Sequence, residues 1–374
     1  MGGMLKYFAP IFLLKNRSLY GGKNMNIQGS WITLNRACNI ACKWCYAKDT
    51  KNIEMKFDDV IKLLDFLKEI GVKRVILLGG EPTLYFKLTD VIKAATERGI
   101  RTALITNGIK LADKTYCHEL AEAGLNSVNI SLKGYDRESY YETAQVDKYL
   151  DALNGISNAS QFFEYNTVSF VLSSDNILSI KNGIRDAVKA GAKNIGLSFC
   201  YNFDACHSDA PITVNFENPY TLAYLFKKSY EDICEASNGK FNLFQTLPLC
   251  VWEDSFIQKL KDNHQISTIC QLLCKNGLIF DTDMTLIPCN AMYNLKLGKF
   301  GKDFNDYTSF SEFWSQADVL KLYDRLRAYP DKKCVQCDQW KQCGGGCVSN
   351  WFNYSFEDMT KLREQFEKEY LLQN

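Results

Sequence analysis

Residues 38–45 place Cys38, Cys42 and Cys45 in one short loop with the spacing C-x3-C-x2-C. Three thiolates can hold a 4Fe–4S cube while leaving one iron without a protein ligand, open to a small molecule. Closed electron-transfer clusters and structural zinc take four protein ligands, so a deficit of one points to chemistry at the metal. The alternative is three buried cysteines at a coincidental spacing, which is not absurd with 15 cysteines in 374 residues. Support comes from Gly79-Gly80-Glu81-Pro82, which follows the apolar run 75–78. Two glycines let backbone approach a ligand closely, and an acidic residue can hold an ammonium. Taken alone, the same four residues make an ordinary turn.

A second set of cysteines, Cys334, Cys337, Cys343 and Cys347, has the spacing C-x2-C-x5-C-x3-C, and Cys270, Cys274 and Cys289 precede it. On residue types alone, the later four suit a zinc ribbon.

Together these motifs resemble the radical S-adenosylmethionine (SAM) superfamily, with the C-terminal cysteines resembling its SPASM domain. The resemblance implies that Cys38, Cys42 and Cys45 hold a 4Fe–4S cluster that binds SAM. It implies that Gly79, Gly80, Glu81 and Pro82 grip SAM's amino end, that Tyr46 meets the adenine, and that Asn107 and Ser131 add contacts. Relatives often read S-L-D-G where this chain has Ser131-Leu132-Lys133-Gly134, so Lys133 or Arg137 is left as the candidate for SAM's carboxylate. The interleaved pattern of the family gives one auxiliary 4Fe–4S cluster to Cys270, Cys274, Cys289 and Cys347. A second would take Cys334, Cys337, Cys343 and a later cysteine, but none follows Cys347. A carboxylate such as Glu357 or Asp358, an open site, or loss of that cluster would fill the gap, so one or two auxiliary clusters are implied. Cys117 and Cys234 fall in helical patterns and read as packing residues. Cys200, Cys206 and Cys250 have no matching partner spacing.

The elements that must position these residues alternate strand and helix. Strands are expected at 30–34, 74–78, 101–105, 127–132, 165–172 and 194–199. Helices are expected at 57–70, 88–98, 111–123, 147–159 and 177–190, several closed by glycine. The first helix carries Val60, Ile61, Leu64, Leu67 and Ile70 on one stripe. Six such repeats mean a parallel sheet with helices outside. The resemblance makes this α/β unit a partial (β/α)6 TIM-type barrel followed by a small, Cys-rich SPASM domain. Chemistry in such barrels sits at the C-terminal ends of strands, where the cysteine loop, Glu81, Asn107 and Ser131 all fall. The expected division is an arm at 1–29, the barrel at 30–203, a helical bridge at 204–268, the auxiliary-cluster domain at 269–350 and a final helix at 351–374.

Bulk properties fit a cytoplasmic enzyme. Hydrophobic residues make up 46% of the chain and charged residues 23%, enough for a core and against disorder. A formal charge of +1 without long single-sign runs suggests neither nucleic acid nor an anionic membrane as partner. No apolar stretch reaches the ~18 residues of a membrane span. Tightly spaced cysteines favour metal, and hence a reducing compartment, over disulfides.

The chemistry implied by the resemblance is reductive cleavage of SAM to methionine and a 5′-deoxyadenosyl radical, which takes a hydrogen from substrate. A ribosomally made peptide is the first substrate class, giving an oxidative modification or cross-link. A flavodoxin or ferredoxin would donate the electron, and a separate leader-binding protein is a possible partner. Asn290 stands where sulfatase-maturing relatives carry an aspartate base, which disfavours formylglycine formation. The alternatives are dehydrogenation of a small molecule such as an amino sugar or alcohol, or a zinc-binding scaffold without activity. No catalytic acid or base is assigned. The aromatic-rich stretch 201–244 either lines a peptide channel or is ordinary packing.

Overall fold

The structure is a computed structural model that describes residues 27–45, 53–200, 217–244, 246–268, 270–352 and 356–371. The N-terminal arm up to residue 26, Tyr46 and Cys206 lie outside the described residues.

Eight parallel strands run in chain order: β1 (Gly29–Thr33), β2 (Arg74–Leu78), β3 (Arg101–Thr106), β4 (Ser127–Ser131), β5 (Tyr165–Leu172), β6 (Asn194–Phe199), β7 (Phe241–Phe244) and β8 (Ile266–Ser267). Near-continuous apolar runs such as Val75–Leu78 bury both faces, as parallel strands covered by helices require. On the other side of β1 lies β9 (Gly277–Phe280), also parallel to it, followed by the antiparallel β10 (Thr285–Ile287) and β11 (Gly298–Lys299). No pairing among the described residues joins β8 to β11, so the sheet is an open, partial barrel. The C-terminal hairpin is therefore continuous with the barrel sheet.

All six expected strands are present within a residue at each end. The segment expected as a helical bridge differs: it supplies β7 and β8 as well as α7 (Pro219–Ser237) and α8 (Asp254–Asp262). Strands of four and two residues are too short to show a period of two.

The other helices are α1 (Phe57–Glu69), α2 (Leu88–Glu97), α3 (Lys114–Glu122), α4 (Arg137–Ala144), α5 (Tyr149–Phe162) and α6 (Ile180–Lys189). In α1 the buried residues are Val60, Leu63, Leu64, Phe66 and Leu67, while Ile61 and Ile70 are only half-buried. The stripe is rotated because α1 has two neighbours. Phe66 packs against Phe280, Phe300, Phe304 and Phe310 of the C-terminal region, with ring centroids 4.9–6.5 Å apart. Cys117 is fully buried on α3, as its packing role predicts. Within the described part of the aromatic stretch, Phe226, Tyr230 and Phe241 pack with Trp252 and Phe256 as core, Tyr220 and Tyr224 meet Phe366, and Phe244 is exposed. Helix α4 was not foreseen, although Asp136 and Ser139 form a capping box at its start.

Candidate functional site

The cysteine loop leaves β1 and is fixed on two sides by backbone hydrogen bonds. On one side Gly80 N–H donates to Asn35 O at 2.8 Å and Glu81 N–H to Ala37 O at 2.7 Å. On the other, Ala41 N–H donates to Ala144 O at 2.9 Å and Lys43 N–H to Thr143 O at 3.1 Å. The last carbonyls of α4, which lack partners inside their own helix, thus anchor the loop. Helix α4 belongs to the site for that reason.

Gly79 and Gly80 permit a close approach, and the neighbour they approach is the cysteine loop. An added Cβ at Gly79 would lie 2.1 Å from Asn35 Oδ1, and one at Gly80 would lie 2.4 Å from Ala37 O. Glu81 is 1% exposed, and its carboxylate is met by four donors. Oε1 accepts from Thr83 N–H at 3.0 Å, Thr83 Oγ1 at 2.7 Å and Thr106 Oγ1 at 2.7 Å. Oε2 accepts from Asn107 N–H at 2.7 Å. Glu81 therefore ties the end of β2 to the end of β3. Pro82 opens a one-turn 3-10 helix, Pro82–Leu84, where its missing N–H costs nothing.

Asn107 reaches the cysteine loop by donating from Nδ2 to Asn39 Oδ1 at 2.7 Å. Gly108 beside it has φ +80°, and a Cβ there would meet Ile130 Cγ2 at 2.6 Å. Ser131 ends β4, and its hydroxyl accepts from Lys133 Nζ at 2.6 Å. Arg137 instead forms a short ion pair with Asp147 at the surface. Of the two cations considered for SAM's carboxylate, Lys133 is the one held beside the strand ends.

The donor set suits an iron–sulfur cluster. The Cys38 thiol is pushed up to about 11, first by burial, with Glu81, Cys42 and Cys45 adding to it. The Glu81 N–H bond to Ala37 O sets Glu81 beside the cysteine loop, and part of Cys38 is exposed. Two buried polar atoms here, the Tyr140 hydroxyl and Trp44 Nε1, have no hydrogen-bond partner among the described residues. Orphans of this kind call for an acceptor that is not protein. Tyr140, fully buried on α4, is a residue the sequence reading missed. Burial raises its phenol most, and Cys42 and Glu81 follow.

Among the C-terminal cysteines, burial first and Cys270 second raise the Cys274 thiol, and Cys270 also acts on Cys347. Cys289 and Cys270 both act on Tyr323. Cys343 and Cys337 act on Cys334. These influences relate Cys274 and Cys347 to Cys270, and Cys334 to Cys337 and Cys343. Among the described residues, no three His, Cys, Asp or Glu side chains converge closely enough to hold a single metal ion.

The two halves are locked together at the cysteine loop. Arg36, two residues before Cys38, donates from Nη2 to Asp281 Oδ1 at 2.6 Å, and its side chain is 3% exposed. Its guanidinium carbon lies 5.4 Å from the Tyr293 ring centroid. A cavity of about 370 Å³ lined by Thr167, Asn194, Asn242 and His264 opens at the opposite, N-terminal ends of β5–β7. No helix among the described residues is long and apolar enough to cross a membrane.

Residues 32–176 match the family model described as "Radical SAM superfamily". A protein of Sulfurisphaera tokodaii named "Probable GTP 3',8-cyclase" is 30% identical over 176 residues, which are 46% of this chain and 56% of that protein. One of the same name from Pyrococcus abyssi is 33% identical over 134 residues, 35% of this chain and 43% of that protein. The chain thus spans about half the length of the curated relatives it matches. Among solved structures, Streptococcus suis SuiB bound to S-adenosylmethionine superposes with a TM-score of 0.65 at 16% identity, covering 88% of this chain and 75% of that one. The structure titled "Native anSMEcpe with bound AdoMet" gives 0.62 at 16% identity, covering 91% and 100%. Identities this low speak for the fold alone, but the family match falls on the segment that carries the cysteine loop, the Gly-Gly-Glu-Pro turn, Asn107 and Ser131. Residues 32–176 are a radical SAM domain.

Proposed function

We propose that this protein is a radical SAM enzyme that oxidatively modifies or cross-links a ribosomally made peptide, using auxiliary clusters in its C-terminal domain. A 4Fe–4S cluster on Cys38, Cys42 and Cys45 would supply the electron that cleaves SAM to a 5′-deoxyadenosyl radical. The chain's own residues then have four tasks. Helix α4 and the Gly79-Gly80 turn hold the cysteine loop. Glu81 fixes the strand ends that face SAM. Lys133, beside Ser131, offers a cation for SAM's carboxylate. Arg36 and Asp281 hold the auxiliary domain against the loop.

The observation that carries the peptide reading is the extent of the structural likeness. It covers the cysteine-rich C-terminal half as well as the barrel, and it includes SuiB bound to precursor peptide SuiA and anSMEcpe with bound AdoMet and Kp18Cys peptide. Asn290 lacks the carboxylate that would serve as a base in sulfatase-type chemistry. Auxiliary clusters suit an oxidation, because the electron left on a substrate radical needs an acceptor. A second reading, action on a small molecule, draws on the curated relatives named as GTP cyclases.

The test is anaerobic turnover with SAM and strong reductant, offering in parallel a candidate precursor peptide and GTP. The peptide reading expects 5′-deoxyadenosine coupled to a peptide mass loss of about two hydrogens. Coupled consumption of GTP with unchanged peptide would replace it with the second reading. Absence of 5′-deoxyadenosine from iron-loaded protein would remove both.

A further inference from the structure

We propose that Cys250 is the fourth thiolate of the second auxiliary cluster, completing the set begun by Cys334, Cys337 and Cys343. This rests on the auxiliary-cluster reading above. It stands against the three alternatives of a carboxylate, an open site or loss of the cluster, and gives a role to Cys250, which has no matching partner spacing in the sequence.

Segment 246–254 is built onto the cysteine run. Thr246 O accepts from Cys347 N–H and from Asn350 Nδ2, both at 2.8 Å. Gly346, at φ +76°, passes so close that an added Cβ would lie 2.7 Å from Thr246 O and 2.8 Å from Pro248 N. Gln339 Nε2 donates to Asp254 Oδ1 at 3.0 Å, pinning the far end. Between these anchors, Leu249–Val251 forms a single 3-10 turn. Leu249 N–H donates directly to Cys343 Sγ at 3.2 Å. Adding one N–Cα bond and one Cα–Cα step to that contact keeps the Cys250 Cα within about 8.5 Å of the Cys343 sulfur. That is a span over which side chains can converge on one cube.

The same contacts hold the run that carries Cys334, Cys337 and Cys343 against the Cys250 turn, through Leu249 at Cys343 and Asp254 at Gln339. By contrast, Glu357 and Asp358 sit on α9 (Phe356–Phe366), which lies along α7 through Asn218 Nδ2 donating to Leu362 O at 2.8 Å. A soft thiolate is also the better ligand for iron in such a cube. On assembly each cysteine would lose its proton to solvent and form one iron–sulfur bond. Two ferrous and two ferric ions with four sulfides are the added species, and they give the cube in its 2+ state with no net oxidation or reduction.

The test is cysteine footprinting of the full chain, reconstituted anaerobically with sulfide and equal amounts of ferrous and ferric iron. Iodoacetamide labelling is read by peptide mass spectrometry, before and after stripping the metal with a chelator. Cys250 and Cys337 are both exposed, so the reagent can reach them in stripped protein. The expected result is that Cys250, Cys334, Cys337 and Cys343 are all protected when loaded and all labelled when stripped. Protection of the other three with Cys250 freely labelled would overturn the assignment while leaving the auxiliary-cluster reading intact. Labelling of all four in loaded protein, or protection by zinc without bound sulfide, would overturn that reading and this assignment together. As a second measurement, Cys250→Ser should make chelator stripping of Cys334, Cys337 and Cys343 at least tenfold faster. An unchanged stripping rate would overturn the proposal. Cys38 protection, which should not move, reports that the variant is folded.

Discussion

Gly80→Ala tests how closely the Gly-Gly-Glu-Pro turn and the cysteine loop must fit. The added Cβ would lie 2.4 Å from Ala37 O and 2.5 Å from Arg36 O, and both are backbone atoms that cannot rotate aside. A carbon and a carbonyl oxygen ordinarily stand about 3.3 Å apart, so the turn and the loop must separate by about 0.9 Å. Overpacking on this scale costs about 1–3 kcal/mol. The larger consequence is positional, because Cys38 lies one residue after Ala37, and a misplacement of about 1 Å at a reacting centre costs on the order of a hundredfold. We expect Gly80→Ala to keep most of its iron and to lose about 1–3 kcal/mol in urea unfolding followed by circular dichroism. Its initial rate of 5′-deoxyadenosine formation should fall on the order of a hundredfold. Gly71→Ala is the control, since its Cβ meets nothing within 4 Å and only its φ of +84° is strained. It should lose about 1–2 kcal/mol and keep its rate. If Gly80→Ala cleaves SAM as fast as wild type, the tight junction does not set the geometry of the site.

Asp281→Ala leaves the Arg36 guanidinium buried without its partner. Breaking a pair this deep costs about 3–5 kcal/mol, which urea unfolding of the metal-free chain should show; a loss below about 0.5 kcal/mol would mean that water replaces the carboxylate. Lys133→Ala should weaken SAM binding by about 10–100-fold, the value of one charge-assisted hydrogen bond, whereas Arg137→Ala should leave calorimetric SAM affinity within about twofold. Equal effects from the two would undo the choice between them.

The parts of this protein legible in its sequence are those whose cause is local. Strands 74–78, 165–172 and 194–199 stand at their expected limits because each is a continuous or alternating apolar run. The four groups expected at strand ends are there because a strand followed by glycine or a polar turn can end in only one way. What was hidden depends on distant partners. Phe66 lies off the expected apolar stripe of α1, and its burial comes from the C-terminal aromatics packed on it. Arg36 and Asp281 are 245 residues apart, and no spacing rule connects them. Cys250 is invisible for the same reason: its partners begin 84 positions later, and only the docking of 246–254 onto 339–350 brings it near them. Helix α4 is a different case, because its Asp136 and Ser139 cap was present in the sequence.

Glu81 shows how a local motif can be read correctly in place and incompletely in role. Its motif suggests a carboxylate facing the ammonium of SAM, yet four donors from Thr83, Thr106 and Asn107 already meet it. Glu81→Gln separates the two roles. The amide oxygen can occupy the Oε1 position and keep the three contacts there, because both threonine hydroxyls can still donate to it. The amide nitrogen then faces Asn107 N–H, a donor against a donor, and the backbone cannot turn away. A buried donor left unmatched costs about 1–3 kcal/mol, and two are left here. We therefore expect Glu81→Gln to lower the stability of the metal-free chain by about 2–6 kcal/mol, with Thr106→Val giving a smaller loss on the same scale. If Glu81 acts only as a staple, SAM affinity of the iron-loaded variant falls no more than Thr106→Val lowers it. If its second oxygen also meets SAM, Glu81→Gln weakens SAM binding about tenfold beyond that. Unchanged stability would be the damaging result, since the four contacts that tie β2 to β3 would then hold nothing.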